Sequence, residues 1–491
     1  MIMSATFIFI LSFVFLILSI FPWAYDSINT QKIARKNKTA LSISLTFSIL
    51  ACTLHLFSVK QICLEKIYLN IDIFKLFERM YIGIHTLPES LIFGSMFFIL
   101  TPLAILYSFY YFSETESLKP SYFVALIFSM LTTILIAYSS NLITSYIFYE
   151  ILTFSTYSLV IFKRDKVAMK TGGYYIAYLS LPAVLFLTAI AILYYYSPSL
   201  NYVNTGVIRN TAIETRNALY LFVLFLFSVS KTAIFPMHGW LPKCMSAPTP
   251  VSAILHAVAV VKSGAVIMIM ITFYIFGLDI MRDITVSKIL FSITSVSCIY
   301  GSIMALESKI IKKRLAYSTM AQISYILLAL TIPSSYSKIA TVLQLIGHSF
   351  AKLTLFFVSG IFYIKYNIKN ISGLRGIAKK EQILSIAFLI ASLNLIGIPP
   401  SLNFSAKYYT IIAAIQTNKP FHIVVFGVST IISFLYVSTM LYEIFFKKPS
   451  KQILRTENIH IPYFIKITIL LCSLVSYFGY FAIDKIIAIL T

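Results

Sequence analysis

The 491-residue chain is 59% hydrophobic and 11% charged, with a formal net charge of +22. Soluble domains carry about 25% charged residues, and a chain this apolar has too little polar surface for a water-facing exterior, so lipid is the solvent the composition requires. The basic residues sit in loops between apolar runs, without a basic stripe or a zinc or RNA-binding motif, which points to the positive-inside rule and away from nucleic acid as a partner.

The first apolar run, Met1 to Phe21, has the length to span a bilayer. No Lys or Arg precedes it, so it lacks the n-region of a secretory signal and is expected to be a retained helix. Further apolar windows fall at 39–59, 90–112, 120–140, 142–162, 174–196, 218–240, 251–276, 286–305, 316–333, 339–364, 382–414, 421–446 and 462–483. With the first run, lying at 2–21, they predict an all-α polytopic membrane protein of about fourteen transmembrane helices. Strands are not expected, because no alternating ten-residue segments of the barrel type occur.

Loop charge predicts orientation. One alternating set of loops holds Lys32, Arg35, Lys36 and Lys38, then Lys163, Arg164, Lys166 and Lys170. It continues with Lys309, Lys312, Lys313 and Arg314, with Lys365, Lys369, Arg375, Lys379 and Lys380, and with Lys447, Lys448, Lys451 and Arg455. In the opposite set, the stretch from Lys60 to Glu89 alternates in sign, and the tip near 277–288 mixes Asp279, Arg282, Asp283 and Lys288. The basic loops are therefore expected on the cytoplasmic side and both termini on the outer side. The expected location is a bacterial-type cell membrane, with a mitochondrial inner membrane as the alternative. The five cysteines form no CxxC or CxxxC pair, so no iron–sulfur cluster, structural zinc or other cofactor is expected in this chain.

Two windows are interrupted, one by Lys231-Thr-Ala-Ile-Phe-Pro236, the other by Asn394-Leu-Ile-Gly-Ile-Pro-Pro400 followed by Lys407. Proline removes a helix hydrogen bond, and in a membrane the freed backbone is tolerated only against protein or a wet cavity. A pair of broken spans in corresponding positions is a pattern of transporters built from repeats.

Ionisable residues also occur inside apolar windows: Glu150, Lys231, His256, Lys262, His348, Lys352 and Lys407. Each charge at mid-bilayer costs at least about 2.5–3.5 kcal/mol if it faces lipid, so these groups must face protein, pair or touch water. His348 and Lys352 are four apart, which puts them on one helix face. A Lys–Glu pair whose separation changes is a proton switch, since a carboxylate stabilises the ammonium and burial does not. Blander readings stand beside this one. A lysine near a helix end snorkels to the interface, an intramembrane carboxylate serves as a counter-ion, and a lone histidine is often a packing residue, the reading favoured for His238 beside Trp240.

Lys231-Thr-Ala-Ile-Phe-Pro-Met-His-Gly-Trp-Leu-Pro242, Ala247-Pro-Thr-Pro-Val-Ser-Ala-Ile-Leu-His256 and Val261-Lys-Ser-Gly264 resemble the antiporter-like subunit superfamily. It comprises the proton-pumping membrane subunits of respiratory complex I and the large subunits of Mrp-type cation/proton antiporters. Leu315-Ala-Tyr-Ser-Thr-Met-Ala-Gln322, His348-Ser-Phe-Ala-Lys352 and Gly397-Ile-Pro-Pro400 with Lys407 extend the resemblance over residues 90 to 445. It implies two inverted five-helix repeats, each with a broken helix, dividing the chain into 1–112, 113–277, 278–446 and 447–491.

The resemblance also implies roles. Glu150 would pair with Lys231; His256 and Lys262 would carry a relay to the centre; His348 and Lys352 would take it into the second half; Lys407 would be the exit-side group. The implied function is translocation of protons, with sodium as the candidate exchanged ion, beside other membrane subunits of an antiporter or of complex I. Tyr149-Glu-Ile-Leu-Thr-Phe-Ser-Thr-Tyr157 looks most like D-type antiporter subunits; a pumping subunit of NADH:quinone oxidoreductase and a non-transporting scaffold are the alternatives. Ile310 and Ser324 depart from the family pattern, where many relatives have Asp and Gly, and put a loop contact and local packing in doubt.

Overall fold

The computed structural model describes residues 2–28, 33–77, 80–115, 118–197, 199–208, 211, 213, 215–282, 284–450, 453–454 and 461–490. Lys32, Asp283, Lys451 and Arg455 of the predicted loops lie outside them, as do the side chains of Arg35 and Lys36.

The described chain is overwhelmingly helical, and ten of its helices are long and apolar enough to cross a membrane. The sequence windows at 142–162, 218–240, 316–333 and 382–414 fall outside that set. They correspond to α6 (Leu142–Val160), α8 (Thr215–Ser228), α14 (Ile311–Leu330) and the pair α16 (Gln382–Ile396) and α17 (Leu402–Gln416). Two of these windows are cut short by the breaks. The other two are thinned in hydropathy by Glu150 in α6 and by the charged first turn and Gln322 of α14.

Burial sorts the bundle into layers. The apolar windows of Thr249–Met281 and of α15 (Ser335–Tyr366) are buried throughout, whereas those near the N-terminus, in α18 (Pro420–Phe445) and near the C-terminus are buried over only 28%, 33% and 28% of their length. Apolar side chains such as Phe7, Ile10, Ile431, Phe464 and Leu471 cover that exterior, as a lipid solvent demands. The central position of α15 explains its composition: beyond its first turn its polar residues, from Thr341 to Ser359, are buried against protein.

Thr249–Met281 is not one regular helix. Short α10 (Thr249–Ala253) and α11 (Val260–Met270) alternate with wider π-helical turns at Ile254–Val258 and Ile271–Phe276. Each such bulge re-aims side chains within one span, a feature the apolar periodicity did not disclose.

Strands were not expected, yet β1 (Asn70–Phe77) and β2 (Met80–His85) form an antiparallel hairpin. The argument from barrels does not reach it, because the hairpin lies between apolar windows and needs no closed sheet. One edge is covered: His85 N–H donates to Tyr138 O at 2.8 Å and Ser140 N–H to Gly83 O at 3.1 Å. The loop at 199–208 joins the same end, through Leu142 N–H to Leu200 O at 3.2 Å and Val203 N–H to Tyr274 O at 3.3 Å.

The basic loops meet at the opposite end. Ile311 N–H donates to Lys369 O, Ile371 N–H to Lys309 O and Gly376 N–H to Glu443 O, at 3.1, 3.0 and 2.8 Å. A backbone bridge joins Ile310, where the family pattern has Asp, to Asn370. Ser324 donates its hydroxyl to Met320 O at 2.9 Å. Arg314 is a buried cap rather than a solvated loop charge, donating to Ser308 O, Leu306 O and Tyr436 O at 3.0, 2.8 and 2.8 Å. Lys365 is likewise buried and paired with Glu114.

Candidate functional site: a line of buried cations through two helix breaks

The first break begins where α8 ends at Ser228; a single 3-10 turn, Ser230–Thr232, carries Lys231 into the interior, and Ala233 takes a left-handed conformation at φ 54°. α11 presses against this turn at Gly264, where an added Cβ would lie 2.9 Å from the Thr232 backbone nitrogen. At the second break Gly397 ends α16 at φ 85°, and the Ser401 side chain accepts from Phe404 N–H to start α17. Here α15 makes the close approach: a Cβ on Gly347 would meet Asn403 Oδ1 at 2.3 Å. Asn394 ties the break together, donating to Gly347 O at 2.9 Å and accepting from Asn403 N–H at 3.1 Å. Both breaks hold a cis proline bond, at Phe235–Pro236 and Pro399–Pro400.

Lys231 is fully buried. Its ammonium donates to the Tyr149 carbonyl and sits 3.3 Å from the centroid of the same tyrosine's ring. The Lys231 N–H donates to Tyr149 Oη at 3.2 Å. Glu150 follows Tyr149 on α6, but no ion pair within 4.0 Å joins it to Lys231, and Glu150 Oε1 is buried without a hydrogen-bond partner. The expected direct pairing is thus absent here. The reason is geometric: Glu150 is one residue, and so about 100° around the helix, beyond the tyrosine whose carbonyl and ring have taken the ammonium.

The central groups come together across two helices. The Lys262 ammonium contacts His348 Nδ1 directly and approaches His256 O at 3.5 Å. His256 is fully buried beside Phe356, with neither ring nitrogen hydrogen-bonded, and His348 Nε2 is also without a partner. His256 therefore meets Lys262 through its backbone, not its imidazole. Lys352, one turn beyond His348, donates to Leu315 O at 2.9 Å and to the Ser318 hydroxyl of α14.

Lys407 ends the line. It does not snorkel: its ammonium turns back to the second break, donating to Ile396 O at 2.6 Å and to Thr430 Oγ1 at 3.0 Å, 5.1 Å from the Tyr325 ring centroid. Gln344 of α15 donates to Gln322 Oε1 at 2.7 Å, and Gln322 donates to Leu395 O at 3.2 Å, tying α15 and α14 to the same break. His238 stands apart, stacked on Phe235 and edge-on to Tyr300, which agrees with its packing role. Sequence reasoning had not assigned Tyr149, Ser318, Gln322 or Tyr325, although all but Tyr325 lay inside the motifs it singled out. For Thr430, in a plain apolar helix, it held no signal.

Residues 139–433 match the family described as NADH:quinone oxidoreductase/Mrp antiporter, TM. The chain belongs to this family. The matched region holds all seven charged and imidazole groups of the line. Among the family's relatives, the chain is 28% identical over 313 residues to NADH-quinone oxidoreductase subunit N of Desulforudis audaxviator, covering 63% of this chain and 62% of that protein. It is 32% identical over 332 residues to the chloroplastic NAD(P)H-quinone oxidoreductase subunit 5 of Lotus japonicus, covering 62% and 42%. It is 26% identical over 481 residues to the putative antiporter subunit mnhA2 of Staphylococcus aureus, covering 92% and 59%. The chain thus spans between 42% and 62% of the length of these curated relatives. In fold it is similar to a chain in a structure of the Mrp complex from Dietzia sp. DQ12-45-1b, with a TM-score of 0.81 at 18% identity, covering 98% of this chain and 95% of that one. Family and helices together make it an integral, multi-pass membrane protein.

Proposed function

We propose that this chain is a proton-translocating, antiporter-like subunit of a multisubunit cation/proton antiporter, with sodium as the candidate exchanged ion. The observation that carries this is the set of buried ionisable groups: Lys231 at the first break, Lys262 with His348 and Lys352 in the core between, and Lys407 at the second break. A structural scaffold has no use for such a set, since each charge at mid-bilayer costs at least about 2.5–3.5 kcal/mol.

In this reading the chain makes fourteen passes, the two broken spans being the corresponding members of two inverted five-helix repeats. The proposed divisions stay at 1–112, 113–277, 278–446 and 447–491, the basic loops face the cytoplasm of a bacterial-type cell, and both termini lie outside. The arrangement around Lys231 is the separated state of the switch, the ammonium held by the Tyr149 carbonyl and ring while Glu150 waits beside it. Approach of Glu150 stabilises the charged lysine; retreat releases its proton toward Lys262 and His348.

The alternative is a pumping subunit of NADH:quinone oxidoreductase, favoured by the relatives named as subunits N and 5. Redox chemistry would then reside in partner subunits. Copurification with flavin and iron–sulfur subunits would select it; a complex containing only small hydrophobic partners would select the antiporter. The test common to both is proton movement into vesicles carrying the assembled complex. Lys231→Ala or Glu150→Gln abolishes the pH gradient without loss of assembly, and a normal gradient in both variants sinks the reading.

A further inference from the structure

At the hairpin end of the bundle the structure holds a second buried charge cluster, which neither break contains and the relay does not use. Glu89, in the first turn of α4 (Pro88–Glu114), is fully buried. It pairs with the Lys338 ammonium from the first turn of α15, and Tyr274 donates its hydroxyl to Glu89 Oε2. Lys338 also donates to Tyr274 Oη, at 3.2 Å. Three elements, α4, α15 and the π-helical turn Ile271–Phe276, thus converge on one carboxylate. Lys338, 23% exposed, and Tyr274 line a cleft of about 740 Å³, and Glu89 lies behind them, bonded to both.

The groups around this carboxylate are few. His85 of β2 and Tyr202 line the cleft on one side, and burial holds the His85 imidazole below its ordinary value. Tyr68 lines it ahead of the hairpin, and Asp279 and Arg282, paired with each other at 3.3 Å, stand at the mouth. Of the charges lining the cleft, Lys338 is the one bonded to Glu89.

A polar stripe leads inward from the cleft. Lys338, Thr341, Gln344, His348 and Lys352 follow one another along α15 at spacings of three and four, which places them on one face. Ten residues separate Lys338 from His348, about 15 Å along the helix at 1.5 Å per residue. The stripe that starts at the cleft therefore reaches the histidine that touches Lys262.

We infer that this cleft is an outer proton port, with Glu89 as its loading carboxylate and Lys338 as the charge that controls it; the inference rests on the reading of the chain as a proton translocator. A hydronium ion in the cleft gives a proton to Tyr274 Oη as the hydroxyl passes its own proton to Glu89 Oε2, forming an O–H bond on the carboxylate, regenerating the phenol and leaving water. The neutral acid no longer holds Lys338, which swings toward the cleft and opens the α15 stripe to water. Release to the outside is the same step reversed.

The test uses the assembled complex in vesicles whose two faces are set to different pH. Glu89→Gln lowers proton flux at least tenfold and removes its dependence on outer-face pH, and Glu89→Asp restores both. Lys338→Met, which keeps the carboxylate but strips its counter-charge, moves the midpoint of the outer-face pH profile to higher pH. A flux and an outer-face profile unchanged by Glu89→Gln, with Lys231→Ala still abolishing flux, overturn the port and leave the proposed function standing. If Glu89→Gln fails to assemble, an unmoved midpoint in Lys338→Met overturns it in its place. Flux that survives Lys231→Ala would instead remove the reading beneath it.

Discussion

The two helix breaks solve the same problem with different chemistry. Each carries a buried lysine whose ammonium is held by a backbone carbonyl and a tyrosine ring: Lys231 by Tyr149 of α6, Lys407 by Ile396 O and Tyr325 of α14. The residue after the tyrosine is where they part. Glu150 follows Tyr149, whereas the fully buried Ile326 follows Tyr325. The first lysine has a carboxylate on the residue next to its tyrosine; the second has neutral dipoles and a π face. Under the proposed function, the first break is where coupling energy alters proton affinity, and the second is a passive acceptor whose occupancy follows from what reaches it.

The comparison breaks most sharply on transport. If the halves act in series, Lys407→Met stops proton flux as completely as Lys231→Met, in vesicles holding equal amounts of assembled complex. About half the flux surviving in the Lys407 variant would mean two parallel paths and two independent halves.

The close approaches at the breaks give the next largest effect, on stability. Gly264→Ala puts a methyl group 2.9 Å from the backbone nitrogen of Thr232, which has no rotamer to change. Overpacking of this kind costs typically 1–3 kcal/mol, read as a lowered unfolding midpoint of the purified complex. Gly347→Ala meets the Asn403 side chain, which can turn aside, but also Leu402 Cβ at 2.9 Å, which no rotamer change moves, so its midpoint falls by a similar amount. A loss at one glycine and none at the other would show that only one break is closely packed.

The smallest effects concern the tyrosines. Tyr149→Phe deletes the hydroxyl that accepts from Lys231 N–H, and Tyr325→Phe deletes the one that donates to Ser429 Oγ at 2.8 Å. Each loses a single buried hydrogen bond, about 1 kcal/mol. Both keep the ring face under the ammonium, so flux stays close to that of the unaltered chain. A collapse of flux in Tyr149→Phe alone would make the hydroxyl part of the proton path.

Much of this arrangement was legible in the sequence. Apolar runs place the chain in lipid, prolines mark both breaks, and the cost of charge in hydrocarbon picks out Glu150, Lys231, Lys262, Lys352 and Lys407 as interior groups. These inferences depend on order and composition along one chain segment at a time. The hairpin was missed because the reasoning asked only which strands cross a bilayer, and Arg314 was counted as a loop charge because a cap and a loop residue look alike in sequence.

What the tertiary structure decided was who touches whom. Helix periodicity puts His348 and Lys352 on one face, but it does not say that His348 meets Lys262 while Lys352 turns to Ser318 on another helix. It sets Glu150 beside Tyr149, but not that the tyrosine takes the ammonium. Nor does it bring Glu89, Tyr274 and Lys338, drawn from positions far apart in the chain, onto one buried carboxylate. The sequence by itself determined the solvent, the breaks and the positions of the charges, because those follow from local polarity and backbone chemistry. The partners of the charges follow from which faces pack together, and that is a property of the folded bundle alone.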